Sequence, residues 1–245
     1  MREMVYEMMH RVGSGALTED YLANDKAILT FCENTSGAAL DSLSLGLLDF
    51  PETLVWMTVE WRVKIIRRPK YGEMIRVKTF SKYVKRIYSF RDYIIESEEG
   101  DTLVLVESKW VLFDLSENKI VVLTEEDEKK YKSEPGMSAF DTPAERFTVP
   151  KDAAYMTEFS VRIRDIDTSK HMHNTEYVAA ALDALPPSLL EEKGFKGFSN
   201  FRISYVKEYK LGDTVKLYYT EKDGKHYVIM KDEEGALHAC VAFFD

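Results

Sequence analysis

Cysteine is nearly absent from this chain of 245 residues: Cys32 and Cys240 are the two that occur, and each falls within an apolar pattern. Two distant thiols exclude a disulfide-built scaffold and read as reduced core residues. Long apolar runs are missing as well. None approaches the roughly 20 residues of a membrane-spanning helix, so no membrane insertion is expected. The start, Met1-Arg2-Glu3-Met4-Val5-Tyr6-Glu7, carries acids where a signal peptide would be uniformly apolar. The expected location is cytoplasmic. Positive charge is in deficit, 33 Lys and Arg against 42 Asp and Glu for a net charge of −9. That argues against a nucleic-acid partner, whose counterions only a basic surface displaces. Proline is sparse too, and of the seven, Pro135, Pro143 and Pro150 lie in one stretch.

What is present is ample core-forming material, 45% apolar residues. A short strand is expected over 5–12, then a long helix over 24–45 with Ile28, Phe31, Cys32, Thr35, Ala39 and Leu43 on one stripe. Alternating strands follow over 55–66, 74–80, 87–96, 102–115 and 119–123, separated by Lys70-Tyr71-Gly72-Glu73, Glu99-Gly100-Asp101 and Glu117-Asn118. This is one helix laid on an antiparallel sheet, an α+β unit. From 124 to 157 the periodicity fades into an acidic run and the three clustered prolines, the composition of a linker.

After 157 the first pattern returns: a strand over 158–164, a helix over 174–185, and strands over 201–209, 214–221, 226–231 and 237–244. Lys70-Tyr71-Gly72-Glu73 aligns with Lys210-Leu211-Gly212-Asp213, and Glu99-Gly100 with Glu234-Gly235. The halves read as two copies of one module, over 1–123 and 158–245. In that register Glu208 of the second copy lies opposite Arg68 of the first.

Potential chemistry is densest between Arg164 and Tyr177, where Asp165, Asp167, Ser169, His171, His173 and Asn174 crowd a strand-to-helix junction. Asn174 suits the helix N-cap. The matching stretch of the first half has acids but no histidine, so the chemistry belongs to the second half. Asp167 and Glu208 are carboxylates able to activate water, His171 can position a carbonyl or a partner carboxylate, and amide donors near Asn174 can meet a developing oxyanion. A covalent route through Asp167 stays open beside the water route. The His171/His173 spacing with Asp165 and Asp167 matches no established zinc signature, so no metal and no cofactor are expected.

Asp167-Thr168-Ser169-Lys170-His171-Met172-His173-Asn174, with Tyr177 beyond, resembles the D-x-N-x-H-x-N-N-x-x-Y signature of acyl-acyl carrier protein thioesterases. Tyr205-Val206-Lys207-Glu208-Tyr209 is similar to the family's Y-R-R-E-C segment. Further similarity runs through Trp56, 61–72, 85–92 and 108–112, so the resemblance covers nearly the whole chain. It implies a tandem hot-dog fold and the hydrolysis of fatty acyl-acyl carrier protein at the end of fatty-acid synthesis. Asp167, His171 and Glu208 would be catalytic, with Ser169 and Asn174 binding substrate. Two positions depart from the pattern. Ser169 replaces an asparagine, and Tyr209 replaces the cysteine after the glutamate, which excludes a thiol nucleophile there.

The implied partner is acyl carrier protein, which is acidic, and Arg67, Arg68 and Lys70 are the candidate docking residues. Acyl-coenzyme A as substrate and a silent acyl-binding protein are the alternatives. Acyl chain length is open. So is the oligomeric state, a homodimer included, because a tandem fold can hold within one chain what single-module relatives need a dimer to provide.

Overall fold

The computed structural model describes residues 5–193 and 197–245. By its internal contacts the chain divides into two compact units, residues 1–17 with 21–143 and residues 18–20 with 144–245.

In the first unit the strands are β1 (Tyr6–Arg11), β2 (Leu54–Ile65), β3 (Met74–Lys85), β4 (Tyr88–Ser97), β5 (Thr102–Asp114) and the short β6 (Lys119–Ile120). They form an antiparallel sheet in the order β1-β3-β4-β5-β2, with β6 added to β5. Helix α1 (Asp25–Asp41) starts where Asn24 Oδ1 accepts the Ala27 N–H at 2.8 Å. Its buried Ile28, Phe31, Cys32, Thr35 and Ala39 recur every three or four residues, so one stripe packs on β1 and β3. Regular helix ends four residues before the expected 45. Across the sheet, Trp61 lies 5.6 Å from Tyr93 and meets Trp110 edge-on at 5.9 Å.

Residues 124–142 pack onto this same sheet. Thr124 and Asp127 form a reciprocal capping box for α2 (Glu125–Lys130), Glu128 accepts the Val84 N–H at 2.8 Å, and buried Tyr131 meets Trp56 edge-on. Further along, the Ala139 N–H donates to Asp92 Oδ2 at 2.7 Å, and Arg62 stacks on Phe140 while donating to the Thr142 carbonyl. Aperiodic sequence is therefore held here by specific polar contacts. Burial pushes the Asp92 carboxyl up to about 6, although Lys82 Nζ is 3.3 Å away.

The second unit repeats the plan with β7 (Ala154–Ser160), α3 (Glu176–Leu182), α4 (Pro187–Lys193), β8 (Asn200–Tyr205), β9 (Thr214–Lys222), β10 (Lys225–Lys231) and β11 (Leu237–Phe244). Its antiparallel order is β8-β11-β10-β9-β7, and α3 packs on β11. Three elements differ from expectation. β7 begins four residues before the expected 158, because this strand is nearly all exposed and carries little apolar alternation. The expected 12-residue helix is the shorter α3, and a separate α4 starts on Pro187, where the missing N–H of proline costs nothing. β8 stops at Tyr205, since Val206 and Lys207 both donate to the His238 carbonyl and the ladder ends there. Glu208 thus sits in irregular chain between β8 and the turn at 210–213.

Main-chain hydrogen bonds repeat the duplication. Val12 N donates to Glu73 O, Gly72 N to Val12 O and Ala23 N to Pro69 O; in the second unit Val161 N donates to Asp213 O, Gly212 N to Val161 O and Met172 N to Tyr209 O. Ile66 and Arg67 share the Leu103 carbonyl as Val206 and Lys207 share that of His238. Arg68 and Glu208 therefore occupy equivalent places. Among the described residues, no helix is long and apolar enough to cross a membrane.

Candidate active site

The junction between β7 and α3 is a tight loop closed by its own polar groups. Asp167 N donates to His171 O at 3.0 Å, and Lys170 between them takes a left-handed φ of 67°. Asp167 Oδ1 accepts three donors: the Ser169 hydroxyl at 2.6 Å, the Ser169 N–H at 2.8 Å and the His171 N–H at 3.4 Å. An aspartate favours such a turn because its carboxylate can bond backbone N–H groups two to four residues on. An isolated bridge from His171 to Lys210 and the Met172–Tyr209 hydrogen bond then hold this loop against the segment that carries Glu208.

The result is a line of four side chains. Ser169 Oγ lies 3.3 Å from His171 Nδ1, and His171 Nε2 lies 3.2 Å from Glu208 Oε2. Because Asp167 only accepts when ionised, the Ser169 hydroxyl donates to it and accepts from His171 Nδ1–H. That assigns the tautomer and leaves Nε2 facing Glu208. Glu208 is half-buried, and burial raises its pKa above the ordinary glutamate value; His171 opposes the shift and the Asp167 charge adds to it. A proton can pass between Nε2 and Oε2 at this distance, and the raised pKa makes ionised Glu208 a stronger base than an ordinary glutamate. Groups placed in this way can serve as a general acid–base pair.

Asn174 stands at the entry to α3, and its carbonyl accepts the Tyr205 hydroxyl at 2.7 Å. The N-cap is Thr175, whose backbone is already helical and whose side chain caps nothing; Thr175 Oγ1 bonds His173 Nδ1 at 2.8 Å instead. The expected capping role of Asn174 is thus corrected, since the chain enters α3 one residue later. His173 turns to Thr175, clear of the Asp167 line. Tyr177 is buried, and its hydroxyl accepts the Tyr209 N–H at 3.3 Å, beside Glu208. Nothing in the local sequence pattern of Tyr177 announces a bond to residue 209.

The proposed docking trio does not hold together. Arg68 is 6% exposed, with Nη2 2.6 Å from Asp25 Oδ1 and Nη1 3.1 Å from the Ala23 carbonyl. An ion pair so buried cannot meet a partner, and Arg68 is removed from the docking set. Arg67 is exposed but forms two parallel bonds to Glu73, at 2.7 and 3.0 Å. Lys70 is exposed.

Two helix-on-sheet units, one with a hydrogen-bonded line of Asp167, Ser169, His171 and Glu208 and the other with an ion pair at the equivalent place, define a double hot-dog protein. Comparison with known proteins agrees with this class. The chain belongs to the acyl-ACP thioesterase family, its N-terminal domain model matching residues 16–131 and its C-terminal domain model residues 148–241. An oleoyl-acyl carrier protein thioesterase of Arabidopsis thaliana is 22% identical over 178 residues, 66% of this chain and 46% of that protein. The chain spans less than half the length of that curated relative. An acyl-ACP thioesterase from Bacteroides thetaiotaomicron matches with a TM-score of 0.85 at 16% identity, over 100% of this chain and 99% of that one. A 12:0-ACP thioesterase from Umbellularia californica matches with a TM-score of 0.83 at 17% identity, over 100% and 98%. At such identities these structures establish the fold.

Proposed function

We propose that the protein hydrolyses fatty acyl-acyl carrier protein, releasing the free acid and the carrier thiol. The observation that carries this reading is the hydrogen-bonded line Asp167–Ser169–His171–Glu208, because water must lose a proton as it attacks a thioester and the leaving thiolate must gain one. Glu208, with His171 beside it, takes the proton from water. The oxygen attacks the acyl carbonyl, and the oxyanion that forms is met by a donor from Asn174. The tetrahedral intermediate collapses with cleavage of the C–S bond, and the proton on the His171/Glu208 pair passes to sulfur. Water and thioester in, acid and thiol out, balance.

Asp167 acts in this scheme as the anchor of Ser169 and His171. Its Oδ1 already accepts three donors, which favours anchoring over nucleophilic attack. Ser169 does the orienting that an asparagine does in the family pattern, by way of a shorter group. Lys70, with Arg67 at its side, is the part of the first unit offered to an acidic carrier.

Thiol release from a chain-length series of acyl carrier protein thioesters tests the reading, with wild type beside Asp167→Asn and Glu208→Gln. Turnover lost in both variants while their circular dichroism is unchanged supports it. Wild type that releases no thiol at any length overturns it. Equal kcat/KM on coenzyme A thioesters would move the substrate to that carrier, and hydroxylamine trapping of an acyl group on Asp167 would replace water by Asp167 as nucleophile.

A further inference from the structure

The duplication supplies an internal control for the side chains around Glu208. In each unit two consecutive amides donate to one carbonyl, those of Ile66 and Arg67 to Leu103 and those of Val206 and Lys207 to His238. Pro69 and Tyr209 then accept the Ala23 and Met172 amides. The neighbouring turns match as well. Gly100 N donates to Ser97 O and Gly235 N to Asp232 O, each at 3.1 Å, and Ser97 Oγ or Asp232 Oδ1 accepts the amide four residues on. This backbone therefore forms with Ser97, Leu103 and Pro69 as it does with Asp232, His238 and Tyr209.

What the second set adds is a line of side chains. Asp232 Oδ2, the oxygen its turn does not use, lies 3.1 Å from His238 Nε2, which assigns a proton to Nε2. The His238 ring is 2% exposed and stacks on buried Tyr209 at 3.8 Å with 13° between the planes. Oδ2 is also 3.5 Å from Lys207 Nζ. One carboxylate thus reaches both neighbours of Glu208, Lys207 directly and Tyr209 by way of the ring. Stability does not call for these groups. The Tyr209 hydroxyl and His238 Nδ1 are buried with no hydrogen-bond partner among the described residues, a cost that the leucine and proline of the first unit avoid. The difference that accompanies them is the residue between: Glu208 faces His171 at 3.2 Å, where Arg68 pairs with Asp25.

We propose that His238, oriented by Asp232, is a positioning residue for Glu208. Its carbonyl fixes residues 206 and 207, its ring fixes Tyr209, and the carboxylate between them is held toward His171. That Glu208 is a base rests on the thioesterase reading; the holding of its side chain does not.

His238→Leu and Asp232→Ser place the first unit's residues on a backbone that accepts them there. Each variant is expected to keep the circular dichroism of wild type and to lower kcat on a carrier-protein thioester about 10- to 100-fold, with KM within about twofold. In a Glu208→Gln background neither should lower kcat further, because a residue that acts through Glu208 has nothing left to position. Unchanged kcat in both variants, or a loss as large in Glu208→Gln as in wild type, overturns the proposal. Should His238→Leu fail to fold, Asp232→Ser decides alone. Carbon NMR titration of the Glu208 carboxyl, assigned by its absence in Glu208→Gln, reads the same geometry without substrate. Its midpoint should move down toward the ordinary glutamate value in both variants, as burial, the chief cause of its elevation, is relieved. A midpoint that moves in a protein whose wild type releases no thiol overturns the hydrolase reading and leaves the positioning role standing. One that stays put while wild type releases thiol overturns the positioning role and leaves the hydrolase.

Discussion

Glu208 occupies a place where ionisation costs stability. Its folded pKa lies above the unfolded one, chiefly through burial, so the native state binds the extra proton and stability falls as pH rises through the folded value. Glu208→Gln removes that cost. The variant should melt at a higher temperature than wild type at neutral pH, and the gap should close below the ordinary carboxylate range, where both forms are neutral. Its kcat should fall by about 10²–10⁴, the usual contribution of a positioned acid or base; calorimetry across pH beside steady-state kinetics checks both. Lys210 lowers the Glu208 pKa by its charge. Lys210→Met should therefore move the acid limb of kcat/KM to higher pH, and a limb that stays put or moves down would show another group to be the base.

At the scale of elements, the site depends on two tight turns more than on its helix. Lys70 N and Lys210 N each donate to the acid three residues on, Glu73 at 2.7 Å and Asp213 at 2.8 Å, and Gly72 and Gly212 sit between at φ of 79° and 88°. No atom crowds either glycine. Backbone conformation alone therefore demands glycine, because an L side chain in this region costs roughly 1–2 kcal/mol. Gly72→Ala and Gly212→Ala should each lower the melting temperature by about 2–8 °C. Only Gly212→Ala should also reduce kcat, since its turn follows Glu208 directly. Equal loss of kcat in both variants would contradict the assignment of the acid–base centre to the second unit.

On the scale of the whole molecule, duplication has let one set of positions do two jobs. Asp25 and Arg68 in the first unit pair with each other, and Glu208, equivalent to Arg68, faces His171 in the second. Arg68→Met leaves Asp25 buried without its counter-ion and should cost roughly 3–5 kcal/mol. Adding Asp25→Leu should recover most of that loss. Lys70→Glu should leave stability within about 0.5 kcal/mol, as surface changes do, and raise KM for the carrier-protein substrate, more so at low ionic strength. A Lys70→Glu variant with unchanged KM would remove this surface from the docking reading.

The sequence by itself determined the elements and their repetition, because strand alternation, helical spacing and turn residues act over a few neighbours. The Lys-x-Gly-acid turns, the density of Asp167, Ser169, His171 and Asn174, and the register of Glu208 against Arg68 were all legible at that range. Family motifs supplied the catalytic assignment. Tertiary structure decided which polar groups meet. Arg68 looked like surface charge beside Arg67 and Lys70, and its ion pair with Asp25 joins residues 43 positions apart. Ser169 looked like a shortened asparagine until the loop brought its hydroxyl between Asp167 and His171. The 124–142 stretch had no periodicity to read, since single hydrogen bonds and ring contacts hold it on the sheet. Arg91 sits in an ordinary alternating strand, and only the packing of α1, β2, β5 and Tyr131 around it leaves a cavity at its side. Pair contacts of this kind follow from the folded path of the chain, which local composition does not encode.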